Sequence, residues 1–224
     1  MLEEDLIHNI VWNVSRKDFK FLVPSSKIKA DINPFSVEER DRIIEAFPTN
    51  KFAQRYKNNS HSQYYPAIIF WFFTGCITGE LLGLRWRDIT EKYVIFNQNR
   101  IKTNQGEIVK KGLKRQESRS FPINVQLQKI LNDLERSKDS DYIFRDRKGK
   151  PLILNSLIKA WTRVLGGLEL SYRRPYQCRH TFISLCLNSR KLSPAEVAKL
   201  VGTSPAMIYK HYLGTSGNTE VPIL

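Results

Sequence analysis

The stretch SPAEVAKLVGTSPAMIYKHYLG, Ser193 to Gly214, contains the signals that decide how the chain ends its fold. It opens with serine, proline and, at the third helical position, glutamate, and serine–proline returns in its middle; both patterns are typical of helix N-termini. They predict helices over 193–201 and 205–212. Tyr209 and Tyr212 lie three residues apart on the second helix, close enough to share one face.

Upstream of this stretch the pattern alternates between helical and extended segments. Apolar spacing, capping residues and turn residues predict helices at 36–47, 62–89 (interrupted near Gly75), 124–137, 155–165 and 176–189. Between the second and third of these lie the short segments YVIFNQNRI, EIVKKGLK and SRSFPI, which are rich in β-branched and aromatic residues and separated by turn residues. The sequence therefore predicts a mainly α fold with a small antiparallel β-sheet, in the α+β class.

The chain has 224 residues, enough for one ordinary domain and an arm. The polar segment that ends in Ala30 to Pro34 precedes the first capped helix. We expect an arm or linker over residues 1–32, a compact domain over 33–214 and a C-terminal tail over 215–224.

The charge balance points to a polyanionic partner. Lys and Arg number 36 against 22 Asp and Glu, which gives a net charge of +14. Such an excess favours nucleic acid or an anionic membrane, although a basic protein without such a partner is the plainer alternative. The most apolar stretch, Tyr64 to Phe73, has only about half the length of a membrane span, which favours a buried helix and no membrane partner.

Two clusters of basic residues stand out and are candidates for contact with DNA. The first lies on the predicted sheet and its turns, and the second lies within 171–191, where no acidic residue occurs. Their alternative is a solvated basic face. Arg179 is different because an apolar run follows it, and an arginine at the mouth of a buried helix needs an anion or a partner. The predicted DNA-binding residues are Arg100, Lys102, Lys110, Lys111, Arg115, Arg119, Arg173 and Arg174.

The sequence lacks the motifs of nucleotide binding, of metal binding and of paired cysteines. The sequence has neither GxxxxGK[ST] nor GxGxxG, its four histidines lack metal-ligand spacing, and its three cysteines form no CxxC pair. We therefore predict no cofactor and no metal. A tyrosine remains a candidate nucleophile at a phosphodiester, provided that arginine neutralises the phosphate oxygens and lysine protonates the leaving oxygen.

Four motifs in a fixed order resemble those of the tyrosine recombinases, the phage integrase family. They are TGCITGELLGLRWRDI, KRQESRSFPI, PYQCRHTFIS and VAKLVGTSPAMIYKHYLG. The resemblance covers about 33–214 and is strongest to integrases of bacterial, including cyanobacterial, mobile elements. It implies the catalytic domain of a site-specific DNA recombinase or integrase.

The resemblance also implies roles for single residues. Arg179 matches the arginine that holds the scissile phosphate, and Lys114 matches the lysine that acts as general acid. Tyr212, ten residues after Gly202, matches the nucleophile. Tyr176 and Thr203 take two further catalytic positions, each with a hydroxyl that donates a hydrogen bond.

One departure from the family pattern bears directly on activity. The motif TGxRxxE reads Thr74-Gly75-Cys76-Ile77-Thr78-Gly79-Glu80 here, so Ile77 stands where the family has its first arginine. In addition, 32 residues are too few for the separate N-terminal DNA-binding domain that such recombinases carry, which suggests a remnant of one.

Two functions therefore stay open. A third alternative, an unrelated function on a basic helical fold, does not account for the four ordered motifs. The first is a recombinase that cuts and rejoins DNA through a 3′-phosphotyrosyl intermediate, without metal or ATP. The alternative is a catalytically decayed recombinase that acts as a DNA-binding module. In either case we expect double-stranded DNA as the partner and assembly as a homo-tetramer on DNA. The expected location is the cytoplasm, in association with the nucleoid.

Overall fold

The structure is a computed structural model that describes residues 32–53, 60–103, 106–112, 118–136 and 140–212. Its elements follow the predicted order of helices, strands and helices. The helices are α1 (Val37–Thr49), α2 (Tyr65–Thr74), α3 (Thr78–Gly83), α4 (Val125–Asn132), α5 (Leu154–Gly167), α6 (Gln177–Asn188), α7 (Pro194–Val201) and α8 (Pro205–Tyr212), with 3₁₀ turns at Ser62–Tyr64 and Trp86–Asp88. The mainly α architecture with a small antiparallel sheet is confirmed.

The helical region predicted over 62–89 is broken into shorter pieces at Gly75. This glycine ends α2 in the left-handed region, with φ +57°, which other residues rarely adopt. A Cβ at this position would also lie 2.7 Å from the Phe182 ring. The chain therefore turns between α2 and α3, and this turn places the Gly75 carbonyl within hydrogen-bond distance of Arg179.

The β-rich segments form two antiparallel ladders of two strands each. Strand β1 (Tyr93–Phe96) pairs with β4 (Arg119–Pro122), and β2 (Gln98–Thr103) pairs with β3 (Gly106–Lys111). In β4 the residues alternate between buried and exposed, as in a strand with one face on the core.

Helix α2 passes through the centre of the main core. Its sequence YPAIIFWFFT is buried on most of its surface, which explains why the most apolar stretch of the chain needs no membrane. Among the described residues no helix is both long and apolar enough to span a bilayer. Trp71 donates its ring N–H to the Cys76 carbonyl at 2.7 Å, so the core also fixes the turn after α2.

A second, smaller apolar cluster attaches the last two helices. Ile183 of α6 packs with three residues of α7 and with Ile208 of α8, and Tyr212 packs against the edge of this cluster. Because Ile208 is fully buried and Tyr212 lies one turn later on the same face, the cluster fixes the position of Tyr212. Tyr209 points the other way and is 56% exposed.

A buried ion pair joins the sheet to α3. Arg119 donates from Nε and Nη2 to the two Glu80 carboxylate oxygens, at 3.0 and 2.7 Å, and from Nη1 to the Leu200 carbonyl. Glu80 in turn accepts the backbone N–H of Ile77 at 2.9 Å. The prediction that Arg119 binds DNA is therefore corrected: its side chain is buried, and Glu80 already neutralises its charge.

Replacing Arg119 with methionine will lower the free energy of unfolding by about 3–5 kcal/mol, because Glu80 is left buried without its partner. Chemical denaturation followed by circular dichroism measures this. The double variant Arg119→Met/Glu80→Gln, which leaves no charge and keeps an acceptor for Ile77, should recover more than half of the loss. Arg174→Met, at an exposed arginine, is the matched control and should change stability by at most about 0.5 kcal/mol.

The predicted domain limits stay a prediction. The expected arm, apart from residue 32, and the expected tail lie outside the described residues. Within them, the elements from α1 to α8 form the two packed clusters described above.

Candidate active site

Arg179 lies where three segments of the chain meet. It belongs to the first turn of α6, and its Nη1 donates to the Gly75 carbonyl at 2.8 Å and to the Val201 carbonyl at 2.7 Å. Both carbonyls lie at the C-terminal ends of helices, where partial negative charge favours a guanidinium. Arg179 therefore connects α6 to the end of α2 and to the end of α7.

Arg179 carries a buried charge that no carboxylate of the described residues neutralises. The residue is 6% exposed, yet in the part of the chain that the structure describes no carboxylate lies within ion-pair distance of it. The equally buried Arg119 is neutralised by Glu80. Because a buried charge without a partner is unfavourable, this guanidinium is suited to an external anion.

Tyr212, the last residue of α8, lies close to Arg179. Its hydroxyl forms a hydrogen bond with Nδ1 of His180, the residue that follows Arg179. The centroids of these two rings are 5.7 Å apart, and the Tyr176 and His180 rings make an edge-to-face contact with their centroids 5.2 Å apart. Arg179, Tyr212 and Tyr176, three residues predicted from sequence, are thus within one small site.

Burial shifts the acid–base properties of this site. It raises the pKa of the Tyr212 phenol, an effect that the nearby Arg179 charge partly offsets and that Tyr176 reinforces. Burial, with smaller contributions from Arg179 and His211, lowers the pKa of His180 to about 4. At neutral pH the site therefore holds a protonated phenol next to a neutral imidazole.

Thr203 and Ile77 each lie two residues after one of the two carbonyls that Arg179 binds. Thr203 follows Gly202, which ends α7 with φ +70°, and lies two residues after the Val201 carbonyl. Ile77, half-buried, lies two residues after the Gly75 carbonyl, at the start of α3. The slot where the family has its first arginine is therefore next to the site, and an aliphatic side chain occupies it.

The predicted DNA-binding residues fall into three groups. Lys110 and Arg174 are exposed, and Arg100 donates to the Leu152 carbonyl at 3.1 Å with its guanidinium over the Tyr142 ring. Arg173 forms two hydrogen bonds with Glu39, at 2.7 and 2.6 Å, and its side chain is largely buried, so its predicted contact with DNA is corrected. Outside the described residues lie Lys114 and Arg115, and likewise the side chains of Lys102 and Lys111.

His180 is the site residue that sequence reasoning missed. It had a signal, since it directly follows Arg179 in the motif PYQCRHT. Its contact with Tyr212, however, joins positions 32 residues apart, and no spacing rule predicts that two side chains on different helices meet.

The sequence of this chain is similar to that of a known protein family. The family model described as "Phage integrase family" matches residues 36–216 of this chain. A protein named "Tyrosine recombinase XerC-like" from Caldanaerobacter subterraneus subsp. tengcongensis is 27% identical over 237 residues. That match covers 90% of this chain and 56% of the relative, so the chain spans about half the length of the curated relative.

Solved structures share the fold at low sequence identity. The Tn1549 transposon integrase in complex with a circular intermediate DNA superposes with a TM-score of 0.69 at 17% identity, over 86% of this chain and 65% of that one. A lambda integrase dimer bound to a COC′ core site gives 0.56 at 14% identity, over 99% and 59%. The family model covers most of the chain, and this fold agrees with it. The chain therefore belongs to the phage integrase family.

Proposed function

We propose that this chain cuts and rejoins duplex DNA with Tyr212 as its nucleophile. The Tyr212 oxygen attacks a backbone phosphorus, the bond from phosphorus to the 5′ oxygen breaks, and a 3′-phosphotyrosyl link and a free 5′-hydroxyl result. A 5′-hydroxyl of another strand then attacks the link and restores the tyrosine. Because the link conserves the phosphodiester bond energy, the reaction needs no ATP.

One observation carries this proposal: the buried charge of Arg179, which no carboxylate of the described residues neutralises, lies next to the Tyr212 hydroxyl. A phosphate bound next to Arg179 would neutralise this charge. Arg179 Nη1 already uses both of its protons on the Gly75 and Val201 carbonyls, so Nε and Nη2 would bind the phosphate oxygens. A donor fixed in this way stabilises the negative charge that builds up during attack.

Other residues have proposed roles that rest on the family resemblance. Lys114 protonates the leaving 5′ oxygen, and the hydroxyls of Tyr176 and Thr203 donate to the phosphate. Exposed basic residues such as Lys110 and Arg174 bind the DNA backbone and fix its register. Relatives solved on DNA, among them the XerH recombinase bound to a difH substrate, support double-stranded DNA as the partner, and we propose assembly as a tetramer on nucleoid DNA.

Ile77 favours a second candidate function. An isoleucine at the start of α3 supplies no donor to a phosphate held by Arg179, and loss of one such donor slows a reaction by about 10²–10³-fold. In that case the chain holds DNA and does not cut it at a useful rate. Both functions share the same binding surface and differ only in whether a covalent link forms.

A covalent trapping assay distinguishes these two functions. The probe is a pool of duplexes with a randomised core and a nick, so that cleavage next to the nick releases a short strand and leaves the protein attached to DNA. Denaturing gels detect the attached protein, and a gel shift under native conditions measures binding.

The proposed function predicts binding together with a covalent product. Binding without any covalent product, in the chain as it stands, supports the decayed alternative. Absence of both contradicts the two functions alike. The gel shift should weaken steeply as salt is raised, because Lys and Arg displace counterions from the DNA.

A further inference from the structure

We propose that His180 is a catalytic residue that holds the Tyr212 hydroxyl and accepts its proton as the tyrosine attacks. This inference rests on the proposed function and adds the step that it leaves open, namely where the phenolic proton goes. It assigns that role to a residue outside the five positions that the resemblance implies.

Two contacts of the His180 ring support this role. Its Nδ1 is in hydrogen-bond contact with the Tyr212 hydroxyl, the atom that attacks phosphorus. The His180 ring also makes an edge-to-face contact with the ring of Tyr176, the N-cap residue of α6, with the centroids 5.2 Å apart. A base must reach the proton that it removes, and His180 already does so before any DNA is bound.

The proton and electron balance of the step is simple. As the Tyr212 oxygen forms its bond to phosphorus, the proton of its hydroxyl moves to Nδ1 of His180, which becomes an imidazolium. The electron pair of the breaking bond stays on the 5′ oxygen, which takes a proton from the general acid. When a 5′-hydroxyl later attacks the phosphotyrosyl link, the imidazolium returns a proton to the departing Tyr212 oxygen.

The surroundings keep His180 in the form that accepts a proton. The charged and titratable groups facing it are Arg179 and Tyr176 from its own part of the chain, and His211 and Tyr212 from α8. Burial and the Arg179 charge lower its pKa to about 4, so the ring is neutral at pH 6–8. The same Arg179 charge would assist return of the proton after the imidazolium has formed.

Neighbouring groups are less suited to this role. Tyr176 is a phenol, which has no basic nitrogen to offer, and it is 41% exposed. His211 and Lys210 flank Tyr212 on α8, but both are exposed, and neither is among the residues that pack into the small apolar cluster. His211 is therefore the matched control for His180.

The experiment compares His180→Asn, His180→Ala and His211→Gln in the covalent trapping assay, in the chain as it stands and with Ile77→Arg. Asparagine places an amide oxygen near the position of Nδ1, so it accepts the hydrogen bond but takes no proton. We expect cleavage to fall about 10²-fold or more in both His180 variants and by less than about twofold in His211→Gln. DNA binding in the gel shift should stay unchanged in all three.

Two readouts separate a base from a residue that merely packs. In the parent the cleavage rate should be flat between pH 6 and 8, because His180 is neutral throughout; in His180→Ala it should rise about tenfold per pH unit, as hydroxide replaces the lost base. Added imidazole should restore cleavage to His180→Ala at least tenfold and leave His180→Asn unchanged, since its side chain fills the space.

Histidine nitrogen NMR tests the contact without any cleavage. The His180 signal, assigned with His180→Asn, should show a hydrogen-bonded Nδ1 and a proton on Nε2, and Tyr212→Phe should change that signal while leaving His211 as it was. If the His180 signal is the same in Tyr212→Phe as in the parent, the inference is overturned.

The outcomes for the inference and for the proposed function differ. If the parent cleaves and His180→Ala cleaves equally fast, or faster, the inference fails and the proposed function stands. If neither the parent nor Ile77→Arg forms a covalent product, the proposed function fails and the proton transfer fails with it. Loss in the His180 variants without imidazole rescue and without the pH change would reduce His180 to a packing role and overturn the inference.

Discussion

Replacing Tyr212 with phenylalanine will abolish the covalent protein–DNA product and leave DNA binding in the gel shift within about twofold of the parent. Phenylalanine keeps the ring that packs against the cluster around Ile208 and removes only the oxygen that attacks phosphorus. The reaction then has no nucleophile in the site, so loss should be complete to the limit of detection. The covalent trapping assay measures the product, and the gel shift measures the binding.

The matched control is Tyr209→Phe. Tyr209 lies on the same helix, three residues earlier, but points to solvent. It should form the covalent product at the rate of the parent. A product that survives Tyr212→Phe, or one that disappears in Tyr209→Phe, would overturn the assignment of the nucleophile.

Ile77→Arg will increase the rate of covalent product formation by about 10²–10³-fold. The position lies two residues after the carbonyl that Arg179 holds, and the side chain is only half-buried, so a longer side chain has room to extend. The added guanidinium would provide a second charged donor for the phosphate that Arg179 binds. Rates are compared by single-turnover cleavage of the nicked duplexes.

Ile77→Met is the control for this gain, because it lengthens the side chain without adding charge. Its rate should stay within about twofold of the parent. Equal rates for Ile77→Arg and the parent would show that this slot no longer limits the reaction, and a gain in Ile77→Met would attribute the effect to packing instead of charge.

Local signals predicted much of the fold. Ser36 and Ser193 form the capping boxes that their spacing to Glu39 and Glu196 indicates, and Pro205 begins α8 where the serine–proline pair predicts a start. These signals work because each is complete within a few residues of chain. The order of helices and strands follows from them.

The side chains that sequence reasoning misplaced depend on distant partners. The basic stretches around Arg119 and Arg173 predict that both contact DNA, but Glu80 and Glu39, which lie 39 and 134 residues away in sequence, bind them instead. The role of His180 likewise depends on Tyr212, on another helix. A charge run shows how many arginines are present and not which of them meets a carboxylate once the chain is folded.

Mass spectrometry of the covalent product identifies the residue that attacks DNA. After nuclease trimming, trypsin cuts behind Lys199 and Lys210 and so separates Tyr209 from Tyr212 on different peptides. We predict a nucleotide joined through its 3′-phosphate to Tyr212, on the peptide that begins at His211. A nucleotide on any other residue, or one joined through a 5′-phosphate, would contradict it.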